Sequence, residues 1–355
     1  MKVFSEIKLP TKSALSKFRN RISYKFFEEI FFSSILKFES KTSKWNNLRV
    51  YAIDGIQLLL PRTNDIIKNG YNGRAVSRYR DTYGPRMYLT AQFDVLNRFV
   101  KNFKQHSNLD EISDAESMVK TMEKDSLILY DRLYFSKKLL KAHEEAGNYF
   151  LMRLRTKGVI KEVTKIFKFS GNRCSIKYRG KRLELIKTLN PKSKKYDYFA
   201  TNLPKSMVDE DTITKLYTLR WEVETAFRDL VCTSGKLEQW HSKSMNGIMQ
   251  ELYAKFWLFN LSRQQIQIRT KNTENPLDVE YSKPNYKLIY DWIIDRLHKI
   301  FKRSRGVLKD LEKVMNFSTE KRRRRSRSYK RVLKTPPSNY KRENVLWNIE
   351  AIRWA

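Results

Sequence analysis

The spacing of hydrophobic and polar positions changes several times along the chain. In residues 1–47, apolar side chains recur three and four positions apart with basic residues between them, which predicts helices. The next segment, "RVYAIDGIQLLLP" at 49–61, is expected to form a short apolar strand, a turn at Asp54–Gly55 and a second short strand. Residues 86–100 and 125–131 predict two further strands, and the latter is short and apolar enough to be buried.

Helical and strand-like spacing alternate over the rest of the chain. A helix is predicted between Ser136, a suitable N-cap, and Gly147, a suitable stop. Residues 150–200 alternate apolar and basic positions between glycines, which predicts twisted antiparallel strands with one basic face. Helical spacing returns at about residue 211, and "YKLIYDWIIDRLHKIF" at 286–301 reads as an amphipathic helix. The whole pattern predicts an α/β fold.

The charge of the chain indicates a polyanionic partner. Among 355 residues, 72 are Lys or Arg and 38 are Asp or Glu, which gives a formal net charge of +34. A surplus of this size concentrates polyanions, and nucleic acid is the usual one. A ribosomal-type structural protein and a membrane-surface binder are the alternatives, although ribosomal proteins of such charge are usually shorter and less aromatic. The run "KRRRRSRSYKR" at 321–331 is expected to be solvated or to contact phosphates.

Several classes of protein are disfavoured by the composition. The only cysteines are Cys174 and Cys232, and the four histidines are scattered, so neither a disulfide framework nor a zinc site is indicated. No apolar run is long enough to span a bilayer, and the first residues lack the apolar core of a signal peptide. We therefore expect a soluble intracellular protein that does not enter a membrane.

Two aspartates fall at the predicted ends of apolar strands. Asp54 precedes a glycine, and Asp131 follows "LILY" and is followed in turn by Arg132. An acid at the end of a buried strand lies at the rim of a sheet, where open sheets bind ligands. Taken singly, each aspartate is better explained as the start of a turn.

A helix supplies a third acid. In "YTLRWEVETAFRDL" at 217–230, Tyr217, Arg220, Glu224 and Arg228 recur along one side of a helix. Ion pairs between positions four apart account for the charges on this side. The other side is expected to pack on a sheet, because it carries an apolar set, and such packing would direct Glu224 toward the strand-end acids. The apolar set consists of Trp221, Val223, Phe227 and Leu230.

Three acids around one point suit divalent cations. Mg²⁺ prefers hard oxygen ligands and keeps several waters, so a few carboxylates hold it. Two such ions can activate the attacking oxygen and stabilise the leaving oxygen in phosphoryl transfer. The surplus of Lys and Arg would then hold a nucleic-acid substrate that the acids alone would repel.

The motifs, taken in order, resemble DDE transposases of the insertion sequence 4 family. The resemblance covers residues 48–262 and rests on "YAIDG…LLLP", "LILYDRLYFSKKLL…AGNYFLMRL", "TNLP" and "YTLRWEVETAFRDL". It implies a ribonuclease-H-like mixed sheet flanked by helices and interrupted by a β-rich insertion, with helical N- and C-terminal regions. The implied regions are a helical N-terminal region with a candidate DNA-contacting head (1–47), the first part of the core (48–150), the insertion (151–210), the second part of the core (211–266) and a basic helical C-terminal region (267–355).

The resemblance also implies roles for individual residues. Asp54, Asp131 and Glu224 match the three catalytic acids, which would bind Mg²⁺, and Mn²⁺ is expected to substitute. The family signature around the last acid reads Tyr, Arg, Glu, Lys; here the first three positions match and the Lys position is Val231. The family's basic residues are associated with DNA phosphates near the cut. The residues predicted to bind DNA are therefore Tyr217, Arg220, Arg228, Arg132 and Lys236.

The implied function is DNA transposition. A transposase of this family would cut DNA at the element's ends and join the freed 3′-hydroxyl to target DNA, with a hairpin intermediate and synapsis of two protomers. A homodimer on double-stranded DNA is therefore expected, in the cytoplasm of a prokaryote and on its chromosome. Two alternatives stay open: a catalytically inactive DNA-binding relic, suggested by Val231 and the short N-terminal region, and a ribonuclease-H-like nuclease that cuts without joining.

Overall fold

The computed structural model describes residues 11–39, 42–71, 84–156, 161–190, 194–207, 209–233, 236–269, 282–302, 304–317 and 319–321. The chain divides into two compact units, residues 1–320 and 321–355. Apart from Lys321, the described residues all belong to the first unit. The rest of the basic run at 321–331 lies outside the described residues.

A mixed sheet of eight strands forms the centre of the first unit. Its strand order is β3-β2-β1-β4-β5-β8-β7-β6, in which β1, β4 and β5 run parallel and every other neighbouring pair is antiparallel. The strands are β1 (Arg49–Leu59), β2 (Arg86–Asp94), β3 (Phe99–His106), β4 (Ser126–Tyr130), β5 (Tyr149–Arg153), β6 (Arg173–Tyr178), β7 (Lys181–Leu189) and β8 (Tyr196–Thr201), and two short strands, β9 (Ser282–Pro284) and β10 (Thr319–Lys321), lie outside this sheet.

Helices cover both faces of the sheet, because successive side chains of a strand point to opposite faces. On β1, Val50 and Ala52 pack with α2, α7, α8 and α9, whereas Tyr51 and Ile53 pack with α4 and α5. This confirms the predicted fold class, a mixed sheet flanked by helices. The helices are α1 (Lys12–Arg21), α2 (Tyr24–Glu39), α3 (Asn64–Lys68), α4 (Glu111–Lys120), α5 (Lys137–Ala146), α6 (Lys165–Lys168), α7 (Glu210–Leu219), α8 (Trp221–Arg228), α9 (Met245–Arg269), α10 (Tyr286–Asp295), α11 (Leu297–Phe301) and α12 (Val307–Phe317), with 3₁₀ turns at Lys161–Thr164 and Lys205–Met207.

The predicted turn at Asp54–Gly55 is wrong. Strand β1 runs without interruption through both residues, because β2 pairs with it from Tyr51 to Leu59. Strand β4 pairs with β1 only as far as Ala52, so within the described residues no strand covers this edge of β1 beyond that point, and we call it the open edge. At the end of that edge, the N–H of Leu59 donates to Glu238 Oε1 (2.8 Å), and its carbonyl accepts from Trp240 Nε1 (2.6 Å).

The single strand predicted over residues 86–100 is also wrong. The segment forms most of the β2–β3 hairpin, whose turn spans residues 95–98. The buried Asp94 carboxylate holds this turn by accepting from the backbone N–H (2.8 Å) and the side-chain amide (2.9 Å) of Asn97. Arg98 adopts a left-handed φ of 58° to complete the reversal. An apolar count cannot detect a turn formed by an aspartate and an asparagine that are both buried.

Several local predictions are confirmed. Strand β4 occupies the predicted apolar run, and α5 begins after Ser136, which accepts the N–H of Leu139 (3.3 Å), and ends at Gly147 with a φ of 71°. The segment at 150–200 contains antiparallel strands, and β8 pairs with β5, so these strands extend the central sheet. The helical turns within residues 161–168 were not predicted.

The predicted helix at 286–301 divides at Arg296 into α10 and α11. Of the helices in the described part of the chain, none is long and apolar enough to cross a membrane.

Candidate active site

Of the predicted catalytic acids, Asp54 lies on β1 and Asp131 directly follows the neighbouring parallel strand β4. Strand β1 pairs with β4 with Ala52 opposite Leu129, so Asp54 and Asp131 each lie two residues further along the same direction. Asp54 lies on the face of Val50 and Ala52, where α8 packs. Beyond Ala52 the two strands are no longer paired, and both acids come just after the end of this pairing.

Backbone amides hold both carboxylates locally. Asp54 Oδ1 accepts the N–H of Gly55 at 3.0 Å, and Asp131 Oδ1 accepts the N–H of Arg132 at 2.6 Å. Both side chains are half-buried. Hydrogen bonds to the charged form favour an ionised carboxyl group, so the Gly55 amide acts to lower the pKa of Asp54.

The third predicted acid is carried by α8. Val223, Phe227 and Leu230 are buried against the sheet, as predicted for the apolar side of this helix. The prediction was wrong for Trp221, which is 52% exposed. The helix ends in a π-helical turn at Asp229–Thr233 that includes the signature position Val231.

Arg220 joins the acid on the helix to the acid on the strand. It lies between α7 and α8, and it donates to Glu224 Oε1 at 2.6 Å and to Asp54 Oδ2 at 3.4 Å. Its side chain is only 5% exposed, and its guanidinium lies 5.6 Å from the ring centre of Tyr217 and 5.5 Å from that of Trp221. A buried guanidinium between two aromatic rings has few alternative positions, so Arg220 fixes Glu224 relative to Asp54.

Burial dominates the electrostatics of Asp54. It raises the pKa of this carboxyl group to about 7, against the opposing effects of Arg220 and of the Gly55 amide. The negative charges of Glu111 and Glu224 raise the pKa further. The charged form of Asp54 is therefore unfavourable without an additional cation.

Glu111 is a further acid close to Asp54 and Asp131, and the sequence analysis missed it. It occupies the first turn of α4, and its Oε2 accepts from the Tyr134 hydroxyl at 3.0 Å. Burial raises its pKa, and the negative charge of Asp131 adds to this effect. In the sequence, Glu111 looks like an ordinary acid at a helix start, so nothing distinguished it from Asp110 or Asp114.

The predicted DNA-binding residues differ in exposure. Arg132, Arg228 and Lys236 are exposed, whereas Tyr217 and Arg220 are buried. The Tyr217 ring packs edge-on against Phe199 at 4.9 Å between ring centres. The arrangement therefore leaves three of the five side chains directly accessible to a macromolecule, and DNA contact by any of the five stays a prediction.

The donor chemistry of the cluster suits a hard divalent cation, because every candidate ligand is a carboxylate oxygen. Over the part of the chain that the structure describes, however, no three Asp, Glu, His or Cys side chains are grouped closely enough to hold a metal ion. The guanidinium of Arg220 lies between Asp54 and Glu224. Metal binding by Asp54, Asp131 and Glu224 would thus require this side chain to withdraw.

Fold and site together define an α/β domain with acids beside the open edge of a central strand. Residues 45–261 match the family described as the transposase DDE domain. The match covers more than half of the 355 residues, and the chain belongs to this family.

Among solved structures, the chain is similar to one described as the cryo-EM structure of the piggyBac transposase synaptic complex with hairpin DNA. The two sequences are 15% identical, and the TM-score is 0.45. The match covers 86% of this chain and 65% of that chain, so this chain spans slightly less than two thirds of that transposase. A comparison with curated proteins finds no matching sequence.

Proposed function

We propose that this protein is a transposase of the insertion sequence 4 type. It cuts DNA at the ends of a mobile element with divalent cations and joins the freed 3′-hydroxyl to target DNA. Asp54, Asp131 and Glu224 are the catalytic acids and the metal ligands, and Mg²⁺ is the natural cation, for which Mn²⁺ substitutes. Two copies act together on double-stranded DNA.

The observation that carries this proposal is the connection through Arg220. It brings the carboxylate of Glu224, on a helix, to the carboxylate of Asp54, on the central strand, with contacts of 2.6 and 3.4 Å. Asp131 follows the neighbouring parallel strand at the equivalent level. Ordinary packing of α8 needs only its apolar side, so it does not account for a buried cation between two acids from distant parts of the sequence.

Bound Mg²⁺ would supply Lewis-acid chemistry at the scissile phosphate, by activating the attacking oxygen and stabilising the leaving one. The chain's own residues prepare for that role. Asp54 and Asp131 present oxygens beside the open edge of β1, and the Gly55 and Arg132 amides keep these carboxylates oriented. Arg220 neutralises Asp54 and Glu224, a role that a bound cation would take over.

DNA is held by positive charge outside the acid cluster. The formal net charge of +34 supplies long-range attraction to a polyanion. Arg132 is exposed and directly follows Asp131, and Arg228 is exposed on the helix of Glu224. Both side chains are therefore close along the chain to proposed catalytic acids, and we propose that they contact phosphates beside the cut.

The test is cleavage of supercoiled DNA that carries the gene with its own flanking sequence, in Mn²⁺. The parent protein is compared with Glu224→Gln, which keeps the size and hydrogen-bonding oxygen of the side chain but removes its charge. The matched control is Glu210→Gln, on the exposed first turn of α7. We expect cutting by the parent and the control and none by Glu224→Gln, with DNA binding retained by all three proteins.

Other outcomes separate the alternatives. Binding without cutting by any of the proteins would favour a DNA-binding relic, a reading that Val231 in the signature lysine position supports. Cutting without joining of a pre-cut end would favour a nuclease. Cutting by Glu224→Gln at the parent's rate would contradict the assignment of the third acid.

A further inference from the structure

Glu111 occupies a well-fixed position at the start of α4. The helix is fastened to the sheet by Asp114, which accepts from Thr90 Oγ1 at 2.7 Å on β2 and contacts His106 Nε2 at 2.6 Å on β3. Asp110 is the N-cap, and its side chain accepts the N–H of Ser113. The start of the helix is thus capped and anchored without Glu111.

The two carboxylate oxygens of Glu111 engage two different parts of the chain. Oε2 accepts from the Tyr134 hydroxyl at 3.0 Å. Oε1 lies directly over Gly55, since a Cβ built on this glycine would be 2.2 Å from it. Only a residue without a side chain lets a carboxylate come this close to the backbone of β1.

Both contacts lie next to proposed catalytic acids. Gly55 directly follows Asp54 on β1. Tyr134 closes a turn that begins at Asp131, because its N–H donates to the Asp131 carbonyl at 3.2 Å. Glu111 therefore connects the strand of one acid to the turn of the other.

The connection lies where the two strands are no longer paired. Strand β1 is no longer paired with β4 beyond Ala52, so no backbone hydrogen bond between these strands holds Asp54 and Asp131 at a fixed separation. Gly55 lies on the face of Tyr51 and Ile53, where α4 packs, whereas Asp54 faces α8. Glu111 thus approaches β1 from the face opposite to Glu224 and Arg220.

A role in helix stability does not account for this arrangement. An acid in the first turn stabilises a helix only weakly through the helix dipole when it is exposed to solvent. Asp110 and Asp114 already supply negative charge at this end of the helix. Burying the carboxylate of Glu111 beside Asp54 opposes folding. Helix stability therefore does not explain the contacts of Glu111 with Gly55 and Tyr134.

We propose that Glu111 is a positioning residue that sets the separation between Asp54 and Asp131, by tying the turn after β4 to the middle of β1. This inference rests on the proposed function, because the separation matters only if the two acids share cations. Glu111 acts through Gly55 and Tyr134 and is not itself a metal ligand.

The test uses the full-length protein and four variants. Glu111→Ala removes the tie, whereas Glu111→Gln keeps an oxygen that can accept from Tyr134. Tyr134→Phe removes the hydroxyl alone, and Glu116→Gln, at a half-buried position of the same helix where the side chain pairs with Lys120, is the matched control. Two quantities are measured: amide hydrogen exchange of residues 131–135 in EDTA, and binding of Mn²⁺ by electron paramagnetic resonance.

We expect Glu111→Ala to speed exchange at residues 131–135 and to weaken Mn²⁺ binding about tenfold or more, the usual effect of losing a residue that orients a metal ligand. Tyr134→Phe should act in the same direction. Glu111→Gln should restore both quantities to near the parent values, and Glu116→Gln should change neither. Rescue by Gln distinguishes positioning from charge.

Two outcomes would overturn the inference. Unchanged amide exchange of residues 131–135 in Glu111→Ala would mean that Glu111 does not hold this turn in place. A loss of Mn²⁺ binding in Glu111→Gln as large as that in Asp131→Asn would make Glu111 a ligand and not a positioning residue. The exchange measurement contains no metal, so it tests the tie even if the parent binds no Mn²⁺, a result that would instead count against the proposed function.

Discussion

The guanidinium of Arg220 lies 3.4 Å from the carboxylate of Asp54, although the two residues are 166 positions apart in the sequence. The contact joins the junction of α7 and α8 to the central strand. The arginine is 5% exposed and the aspartate 21%, so water screens the pair only weakly. The same guanidinium holds Glu224, and the acid cluster is therefore assembled around a cation that the protein itself supplies.

Replacing this cation should destabilise the metal-free protein. Arg220→Gln leaves Asp54 buried without its counter-charge, and we expect the free energy of unfolding to fall by about 2–3 kcal/mol at neutral pH. The measurement is urea unfolding in EDTA. Lys215→Gln, which removes an exposed ion pair on α7, is the control and should change the free energy of unfolding by less than about 0.5 kcal/mol.

A divalent cation should compensate for the missing arginine. If the metal takes over the neutralisation of Asp54 and Glu224, saturating Mn²⁺ should raise the melting temperature of Arg220→Gln more than that of the parent. Equal increases in the two proteins would mean that arginine and metal do not share a position. That result would leave the destabilisation intact and remove its link to metal binding.

The pKa of Asp54 predicts an unusual dependence of stability on pH. Burial raises this pKa from an ordinary 3.8 to about 7, so between pH 4 and 7 the folded chain binds a proton that the unfolded chain has lost. Stability in EDTA should therefore fall as pH rises through this window, with a slope of at most about 1.4 kcal/mol per pH unit for one proton. Asp54→Asn removes the titrating group and this contribution.

The comparison between parent and variant is essential, because Asp94 contributes in the same direction. Complete burial raises its pKa to about 7 as well, and this contribution remains in both proteins. The expected result is a free-energy difference between Asp54→Asn and the parent that grows as pH rises from 5 to 8. Parallel profiles would show that the pKa of Asp54 is ordinary in the folded protein.

The sequence proposes Asp54 as a catalytic acid, but it predicts the wrong local structure around it. Asp-Gly is a strong turn signal, and it predicted a break in β1 that does not exist. The continuous pairing of β1 with β2 overrides that local preference. The close approach of Glu111 explains why a glycine occupies position 55 of a straight strand. Local propensity thus singled out the glycine at position 55, but the reason for this glycine is the approach of Glu111 and not a turn.

The contacts that assemble the site lie outside the reach of sequence patterns. Spacing predicted the Arg220–Glu224 pair, because the two residues are four apart on a helix. Spacing could not predict the contact of Arg220 with Asp54, or that of Glu111 with Tyr134, because both join distant segments through tertiary packing. The family resemblance pointed to Asp54, Asp131 and Glu224. It did not point to Glu111, because this residue belongs to none of the quoted motifs.

A buried histidine, His143, should make the stability of the fold depend on pH in the opposite direction. His143 is fully buried, its Nε2 lies 3.0 Å from the Tyr130 hydroxyl, and its Nδ1 pairs with the side chain of Asn148. Burial lowers its pKa to about 3. Between pH 3 and 6.5 the unfolded chain binds a proton that the folded chain does not, so this group reduces stability as pH falls through that window.

His143→Gln tests this directly, because glutamine keeps hydrogen-bonding groups but does not titrate. We expect the variant to be less stable than the parent at pH 7.5, since its fit in the core is poorer, and the deficit to shrink at pH 4.5. Urea unfolding at the two pH values measures both quantities. A deficit that is independent of pH would mean that His143 is protonated within the fold at an ordinary pKa.

The last prediction concerns the departure from the family signature at Val231. This half-buried side chain packs against the core within the π-helical turn that follows α8. Val231→Lys should tighten binding to a short DNA duplex and make the slope of log affinity against log salt more negative by about 0.9, the contribution of one added phosphate contact. The lysine stem can cover the same apolar surface, so we expect a loss of only about 1 kcal/mol in stability.

Binding is measured in EDTA at several salt concentrations. Thr214→Lys adds the same charge at an exposed position on α7 and is the matched control. A change in slope for Val231→Lys alone would locate a phosphate at this turn, whereas equal changes in both variants would reduce the effect to net charge.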